Sequence, residues 1–270
     1  MEILQEAARL LPKIRKVKPL IHHITNFVTI NDCANITLAI GGSPIMAYDE
    51  TEVEEVVSMS SSLVLNIGTL SLDMVRTMIL AGKKANELNI PVILDPVGVG
   101  ATRLRSKAVE DILSNVKVTV IKGNMSEIKI VSGLEVEIRG VDSIADNKES
   151  GKTAKELASK LGCIVAITGK QDVLSDGNNV FYVKNGHEML SKVTGTGCMT
   201  SSLIASYCGI TSDYLTAALG GVVSMGIAGE TAFNSLKDNG GLGSFKVNLF
   251  DNIYNLNSDI IMKAGEISVQ

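Results

Sequence analysis

Tryptophan is absent, and only five Phe and five Tyr occur in 270 residues. A chain so poor in aromatics has little to build a stacking surface from, and its core must come from Val, Ile, Leu, Met and Ala. The four cysteines form no CxxC pair, and three of them sit in apolar helix or strand patterns, where a free thiol behaves as a small hydrophobe. A reduced, cytoplasmic protein is expected. No stretch reaches the roughly 18 uninterrupted apolar residues of a membrane span. The opening MEILQEAARLLPKIRK intersperses charges with Leu and Ile and lacks the apolar run and cleavage site of a signal peptide. Nor is there a block of like charge, and the net charge is −4, so neither nucleic acid nor an anionic membrane is an evident partner. Small molecules remain.

What is present is a repeated alternation. Short apolar runs (SPIMA, LVLNIG, PVILDPVG, VTVIKGN, CIVAITG) end in Gly, Asn or Pro turns and are separated by amphipathic stretches such as LDMVRTMILAGKKANELN and GKTAKELASKLG. This reads as βαβ units around a mostly parallel sheet, within one α/β domain spanning residues 1–270. Ligands of such sheets bind beyond the carboxyl ends of the strands, which directs attention to Asn66, Gly68, Asp95, Lys122, Asn124, Thr168 and Gly169. DVLSDGNNVFYVKNG, turning at Asp176-Gly177-Asn178, is expected to form an antiparallel hairpin at a sheet edge. Two apolar helices, MTSSLIASYCGI and DYLTAALGGVVSMGIAGETAF, follow, then an NGGLGS loop before a final helix.

Four local patterns carry candidate chemistry. In VTGTGCMTSS, Gly195 and Gly197 permit a tight turn whose N–H groups and following helix N-terminus suit a phosphate; a plain strand-to-helix turn is the other reading. Cys198 sits at that helix start, where the dipole is expected to lower its pKa from about 8.5 and make it usable as base or nucleophile. Asp95, in ILDPVGVGATR, projects a carboxylate from a strand end toward a hydrated Mg²⁺, or forms an Asx turn. VIKGNMSEI places Lys122 to meet phosphate oxygens and Glu127 to meet a Mg²⁺-bound water, although Asn124 or Ser126 capping a helix explains the same residues. Two nucleotide signatures fail. Gly98-Val99-Gly100 begins a GxGxxG whose third position is Arg103, and Gly151-Lys152-Thr153 lacks the earlier P-loop glycine, Asp146 standing in its place. His22 and His23, adjacent on a strand, face opposite sides and are read as structural. Asn26 stands near a helix start, as a cap or as a partner for a substrate hydroxyl.

Taken in order, HHITNFVTINDCAN, GGSPIMA, NIGTL, ILDPVGVGAT, IKGNMSEI, AITGKQDVLSDG and VTGTGCM span nearly the whole chain. Together they resemble the hydroxyethylthiazole kinase family of the ribokinase-like superfamily. The resemblance implies a three-layer α/β/α fold and Mg²⁺- and ATP-dependent phosphorylation of the primary alcohol of 4-methyl-5-(2-hydroxyethyl)thiazole, a thiamine precursor. It also implies a homotrimer with the thiazole site between subunits. By position, Met46, Asn26, Pro44, Gly68 and Gly195 would bind the thiazole, Lys122 and Thr168 would bind ATP, and Asp95 and Glu127 would hold Mg²⁺. The turn of Gly195, Gly197 and Cys198 would stabilise the moving phosphoryl group. Two departures stand out: the wider superfamily has Asp where this chain has Cys198, and Arg is familiar in relatives where it has Lys122. Rival readings on related scaffolds are another vitamin-precursor kinase, an ATP-dependent dehydratase of hydrated nicotinamide nucleotides, and a catalytically silent nucleotide-binding regulator.

Overall fold

The computed structural model describes residues 2–133 and 147–270; Asp146 lies outside them. The elements run α1 (Glu2–Val17), β1 (Leu20–Ile24), α2 (Ile30–Ile40), β2 (Ser43–Met46), α3 (Val53–Met59), β3 (Ser62–Asn66), α4 (Leu72–Glu87), β4 (Val92–Asp95), α5 (Arg103–Asn115), β5 (Val120–Asn124) and α6 (Met125–Ser132). Beyond residue 146 come α7 (Asn147–Leu161), β6 (Ile164–Thr168), β7 (Asp172–Ser175), β8 (Val180–Val183), α8 (Met189–Lys192), α9 (Thr196–Cys208), α10 (Tyr214–Asn234), α11 (Leu242–Asn255), α12 (Ser258–Ala264) and β9 (Ile267–Val269). The strands form one sheet in the order β2-β1-β3-β4-β5-β6-β7-β8-β9. Pairings from β2 through β6 are parallel, and those from β6 to β9 antiparallel.

Period-two alternation sorts the strands between two cores. Ile21, Val64, Ile93, Val120 and Ala166 face the layer of α1, α9, α10 and α11. Their neighbours Leu63, Leu65, Val92, Leu94, Ile121 and Val165 face the layer that includes α4, α5 and α7. This is the expected three-layer α/β/α architecture. On the first face α9 lies against β1, β3 and β4, and α10 packs beside it against β6 and β7. A Cβ on Gly221 would come within 2.6 Å of the Ile204 backbone, so only glycine lets α10 approach α9 this closely. By length and composition α10 could cross a membrane, yet 83% of its apolar window is buried inside the protein.

The parity that buries Val64, Ile93, Val120 and Ala166 also turns Asn66, Asp95, Lys122 and Thr168 toward the α9 layer. Register reinforces this, since Asn66 pairs with Asp95 and Asn124 with Thr168, aligning the strand ends.

Two expectations need correction. The β7–β8 hairpin forms as read, but it is not the sheet edge, because β9 pairs with β8 outside it. NGGLGS is only partly a loop and the helix after it is not the last: α11 already begins at Leu242, and α12, capped by the Asn257 side chain on the Ile260 N–H, follows before β9. The three-residue β9 is too short to carry a periodic signal.

Candidate active site

Cys198 lies in the first turn of α9. Gly195 is the N-cap at φ +91, and a Cβ there would stand 2.7 Å from Thr29 Cγ2, so both the left-handed backbone and the space require glycine. Helix formation starts at Thr196, leaving the first N–H groups of α9 without intrahelical partners. Gly197 faces Lys122, whose Nζ would be 2.9 Å from a Cβ at that position.

One face of α9 carries a polar stripe at positions i, i+3 and i+4. The Cys198 sulfur accepts from Asn66 Nδ2 at 3.2 Å and from Asn26 Nδ2 at 3.4 Å. Ser201 Oγ donates to Asp95 Oδ2 at 2.7 Å, and Ser202 Oγ donates to His23 Nε2 at 3.0 Å. Asn66 Nδ2 also reaches Asp95 Oδ2 at 3.1 Å, while Asn66 Oδ1 accepts from Asn26 Nδ2 at 2.9 Å and from the Gly68 N–H at 2.9 Å. Asn26 is not itself the cap of α2; its Oδ1 accepts from the N–H and hydroxyl of Thr29, which is. Asn26, Asn66, Gly68, Asp95 and Cys198 therefore form one hydrogen-bonded cluster.

Lys122 Nζ stands 3.6 Å from Asp95 Oδ2, and both side chains are buried. Burial alone disfavours the ammonium, but Asp95, then Glu127, Cys198 and Asp172 outweigh it, and the Lys122 pKa is raised. Asp95 Oδ1 is buried with no protein partner.

Glu127 is half-buried, with both oxygens engaged. Oε2 accepts from the Asn124 N–H at 2.8 Å while Asn124 Oδ1 accepts from the Glu127 N–H, completing a capping box on α6. Oε1 accepts from the Gly98 N–H at 2.9 Å. The capping alternative is thus real, and each oxygen retains one lone pair. Burial, then the charge of Asp95, raises the Glu127 pKa. Among the described residues no group of three or more His, Cys, Asp or Glu side chains could hold a metal. Two separated carboxylates, one with an orphaned oxygen, fit a cation that keeps waters and takes its other oxygens from phosphate, as Mg²⁺ does.

The expectation of a lowered Cys198 pKa fails. Burial raises it and Asp95 adds to that; Lys122 and hydrogen bonds from Thr29 and Asn66 oppose them without prevailing. The helix end is a local influence, whereas the apolar packing and the carboxylate come from the sheet. At neutral pH the group is a thiol. Both central histidines are structural, as read. His22 Nε2 donates to the Ala47 carbonyl and His23 Nδ1 to that of Ile21, and burial lowers both pKa values, that of His23 to about 4.

The remaining sequence candidates lie further out. Thr168, at the end of β6, makes only a long 3.5 Å bond to the Gly123 carbonyl. Beside it Asp172 accepts from the Gly169 N–H at 2.8 Å, and burial pushes its pKa up to about 7 although the residue keeps partial exposure. Pro44 and Met46 are half-buried on β2, the outer strand, where Met46 pairs with His23. Nearby in the chain, Phe27 and Tyr48 stack edge to face at 5.7 Å with both rings exposed. The sequence places Asn66 at the ligand edge of the sheet without a specific role, and assigns nothing to Ser201, Asp172 or Arg105. The phase of Ser201 with Cys198 on one helix was the available signal for the first.

The chain matches the hydroxyethylthiazole kinase family profile over residues 11–259. It is 54% identical over 268 residues to a hydroxyethylthiazole kinase of Alkaliphilus oremlandii (strain OhILAs), covering 99% of each chain. It superposes on the structure of a hydroxyethylthiazole kinase from Pyrococcus horikoshii OT3 with a TM-score of 0.90 at 39% identity, covering 98% of this chain and 99% of that one. A ribokinase-like superfamily protein from Enterococcus faecalis V583 shares the fold alone: TM-score 0.63 at 12% identity, covering 88% of this chain and 87% of the other. A three-layer α/β/α fold with aligned polar strand ends, a glycine turn opening α9, and this full-length similarity place the chain in the hydroxyethylthiazole kinase family of phosphotransferases, on a ribokinase-like fold.

Proposed function

We propose that this chain transfers the γ-phosphoryl group of ATP to the hydroxyl of 4-methyl-5-(2-hydroxyethyl)thiazole. The observation that carries the residue roles is the cluster at the N-terminus of α9: a thiol held by Asn26 and Asn66, beside a buried Lys122–Asp95 pair. The alcohol oxygen attacks the γ-phosphorus, the bond to the β-phosphate bridging oxygen breaks, and ADP leaves with that electron pair. The turn of Gly195, Gly197 and Cys198 offers unpaired helix N–H groups to the moving phosphoryl oxygens. Lys122 meets phosphate as a point charge, and Thr168 borders the nucleotide from the neighbouring strand end. Asp95, through its unpartnered Oδ1, and Glu127, through its free lone pairs, would hold Mg²⁺; when bound, the ion neutralises charge on the β- and γ-phosphates. The transition state of phosphoryl transfer is loose, so the alcohol proton leaves late; with Cys198 as a thiol it passes to an oxygen of the transferred phosphoryl group. The Cys198 sulfur, with two amide donors already directed at it, takes that proton when ionised.

Asn26 and Gly68 form one wall of the thiazole pocket. Met46 and Pro44, on an outer strand near exposed Phe27, Val28 and Tyr48, support completion of that pocket by a second copy in a homotrimer. Four unpaired cysteines suit the reducing cytoplasm.

A coupled ADP-release assay with the thiazole alcohol, run with and without Mg²⁺ and paired with mass detection of the phosphate ester, tests the reaction. ADP release with a hydrated nicotinamide nucleotide and none with the thiazole would transfer the assignment to a dehydratase. Sedimentation tests the assembly, and a fully active monomer would remove the shared pocket.

A further inference from the structure

Arg105 stands in the first turn of α5, outside the cluster just described, yet its guanidinium is committed to the loops that carry it. Nη1 donates to the carbonyls of Ile67 at 2.9 Å and Val97 at 2.7 Å, and Nη2 donates to the Gly68 carbonyl at 2.7 Å. Ile67 and Gly68 immediately follow Asn66 at the end of β3, and Val97 lies two residues past Asp95 at the end of β4. One side chain therefore ties together the segments leaving two neighbouring strands.

The peptide between Val97 and Gly98 gives this clamp a direction. Its carbonyl accepts from Arg105, and its N–H donates to Glu127 Oε1 at 2.9 Å. A peptide unit is planar, so the orientation of its carbonyl fixes that of its N–H. The guanidinium packs directly over this unit: a Cβ on Gly98, which sits at φ +70, would be 3.3 Å from Nη1. A second branch runs through Gly68. Arg105 holds its carbonyl, Asn66 Oδ1 holds its N–H, and a Cβ on it would stand 2.8 Å from that of Asn26.

We infer that Arg105 is a positioning residue of the phosphoryl-transfer site, setting the Glu127 carboxylate through the Val97–Gly98 peptide and the Asn26–Gly68 wall through the Gly68 carbonyl. What Glu127 and Gly68 bind rests on the function proposed above; the linkage between Arg105 and Glu127 does not. Lysine cannot substitute, because an ammonium is a point donor and three carbonyls on two loops need the planar fork. A plain loop brace would affect folding and little else.

The test compares wild type, Arg105→Lys, Arg105→Gln, Glu127→Gln and the double variant Arg105→Lys/Glu127→Gln. Calorimetric unfolding checks the fold, Mg²⁺-dependent ADP binding is measured by titration without turnover, and steady-state kinetics are run against Mg²⁺ and the thiazole alcohol. Arg105→Lys is expected to fold while its Mg²⁺ half-saturation, in binding and in turnover, rises about tenfold, the scale of outer-shell substitutions at metal sites. The alcohol KM should rise as well, with kcat at saturation changed less than about threefold. The double variant should need no more Mg²⁺ than Glu127→Gln alone, since the path ends at Glu127. Unchanged KM and Mg²⁺ half-saturation, a double-variant shift equal to the product of the single ones, or failure of both Arg105 variants to fold would overturn the inference. Absence of any wild-type turnover would sink the proposed reaction instead, leaving the titration to decide on Arg105.

Discussion

Asn66 donates to the sulfur of Cys198 at 3.2 Å from the same side-chain nitrogen that reaches Asp95 at 3.1 Å. Its carbonyl oxygen meanwhile accepts from Asn26 and Gly68. A single amide thus fixes the distance between the proposed proton acceptor and the proposed metal carboxylate. Asn66→Asp keeps the size but removes both donors and sets a second carboxylate beside Asp95. Turnover should fall by about two orders of magnitude, as expected when reacting groups lose their alignment. Asn66→Ser, one donor short, should fall less. Equal kcat/KM in wild type and the Asp variant would remove Asn66 from the site.

Asp95 and Glu127 should respond differently to substitution. Removing Asp95 strands the buried Lys122 ammonium, and breaking a buried pair in this way costs about 3–5 kcal/mol. Asp95→Ala should therefore lose stability together with turnover, and added Mg²⁺ will restore neither fully. Glu127→Ala keeps the Asn124 cap of α6 and loses only the carboxylate's bonds to the Asn124 and Gly98 N–H groups, each worth about 1 kcal/mol. Its turnover should recover in part as Mg²⁺ rises. Thermal melts alongside Mg²⁺ titrations of both variants check the contrast, and identical rescue of the two would refute it.

The strand ends were legible because Asn66, Asp95, Lys122 and Thr168 each close a buried apolar run, and a period of two fixes which face they share. Their partners were not. Ser201 sits in a helix that reads as apolar, and only its spacing from Cys198 hints at the sheet-facing stripe. Arg105 leaves still less trace, since its partners are backbone carbonyls 8 to 38 positions away. The Cys198 pKa was misjudged for the same reason: a helix end is visible in the sequence, whereas burial and a carboxylate from another strand are not.

His23 makes stability depend on pH. Its folded pKa of about 4 lies below the ordinary 6.5, so between these values the unfolded chain binds the extra proton. Stability is fully present above about pH 6.5 and declines as pH falls toward 4, by about 3 kcal/mol for this group. His22 shifts in the same direction. His23→Gln, which cannot charge, should show a shallower decline of unfolding free energy across that window. An identical slope would mean that His23 is not buried neutral.

Gly197→Ala separates nucleotide binding from stability. The new methyl would meet only the end of a flexible side chain, Lys122 Nζ, at 2.9 Å. The fold should survive while the displaced ammonium raises the ATP KM several-fold, a helix Gly→Ala change being otherwise mildly favourable. Gly195→Ala, at φ +91 and against Thr29, should instead lower the melting temperature. A lower melting temperature for Gly197→Ala with unchanged ATP KM would contradict this division.

In the proposed reaction the alcohol proton passes to Cys198 when its thiol is ionised. Burial and Asp95 raise its pKa, so wild-type kcat should climb with pH above neutrality as the thiolate fraction grows. Cys198→Asp places an acid of far lower reference pKa between the same two amide donors, so its activity should equal or exceed wild type at pH 7 and lose the alkaline climb. Cys198→Ala should be slow and flat with pH but not dead, because the N–H groups of the glycine turn and Lys122 remain to stabilise the transferred phosphoryl group. Binding of ATP and of the thiazole should change little in either variant. A covalent role predicts the opposite pattern: an inactive Asp variant and a phosphorylated thiol on the wild-type protein after one turnover. Rate–pH profiles of the three proteins, with intact-protein mass after a single turnover, distinguish the two, and a trapped adduct together with an inactive Asp variant would overturn the proton-acceptor role of Cys198.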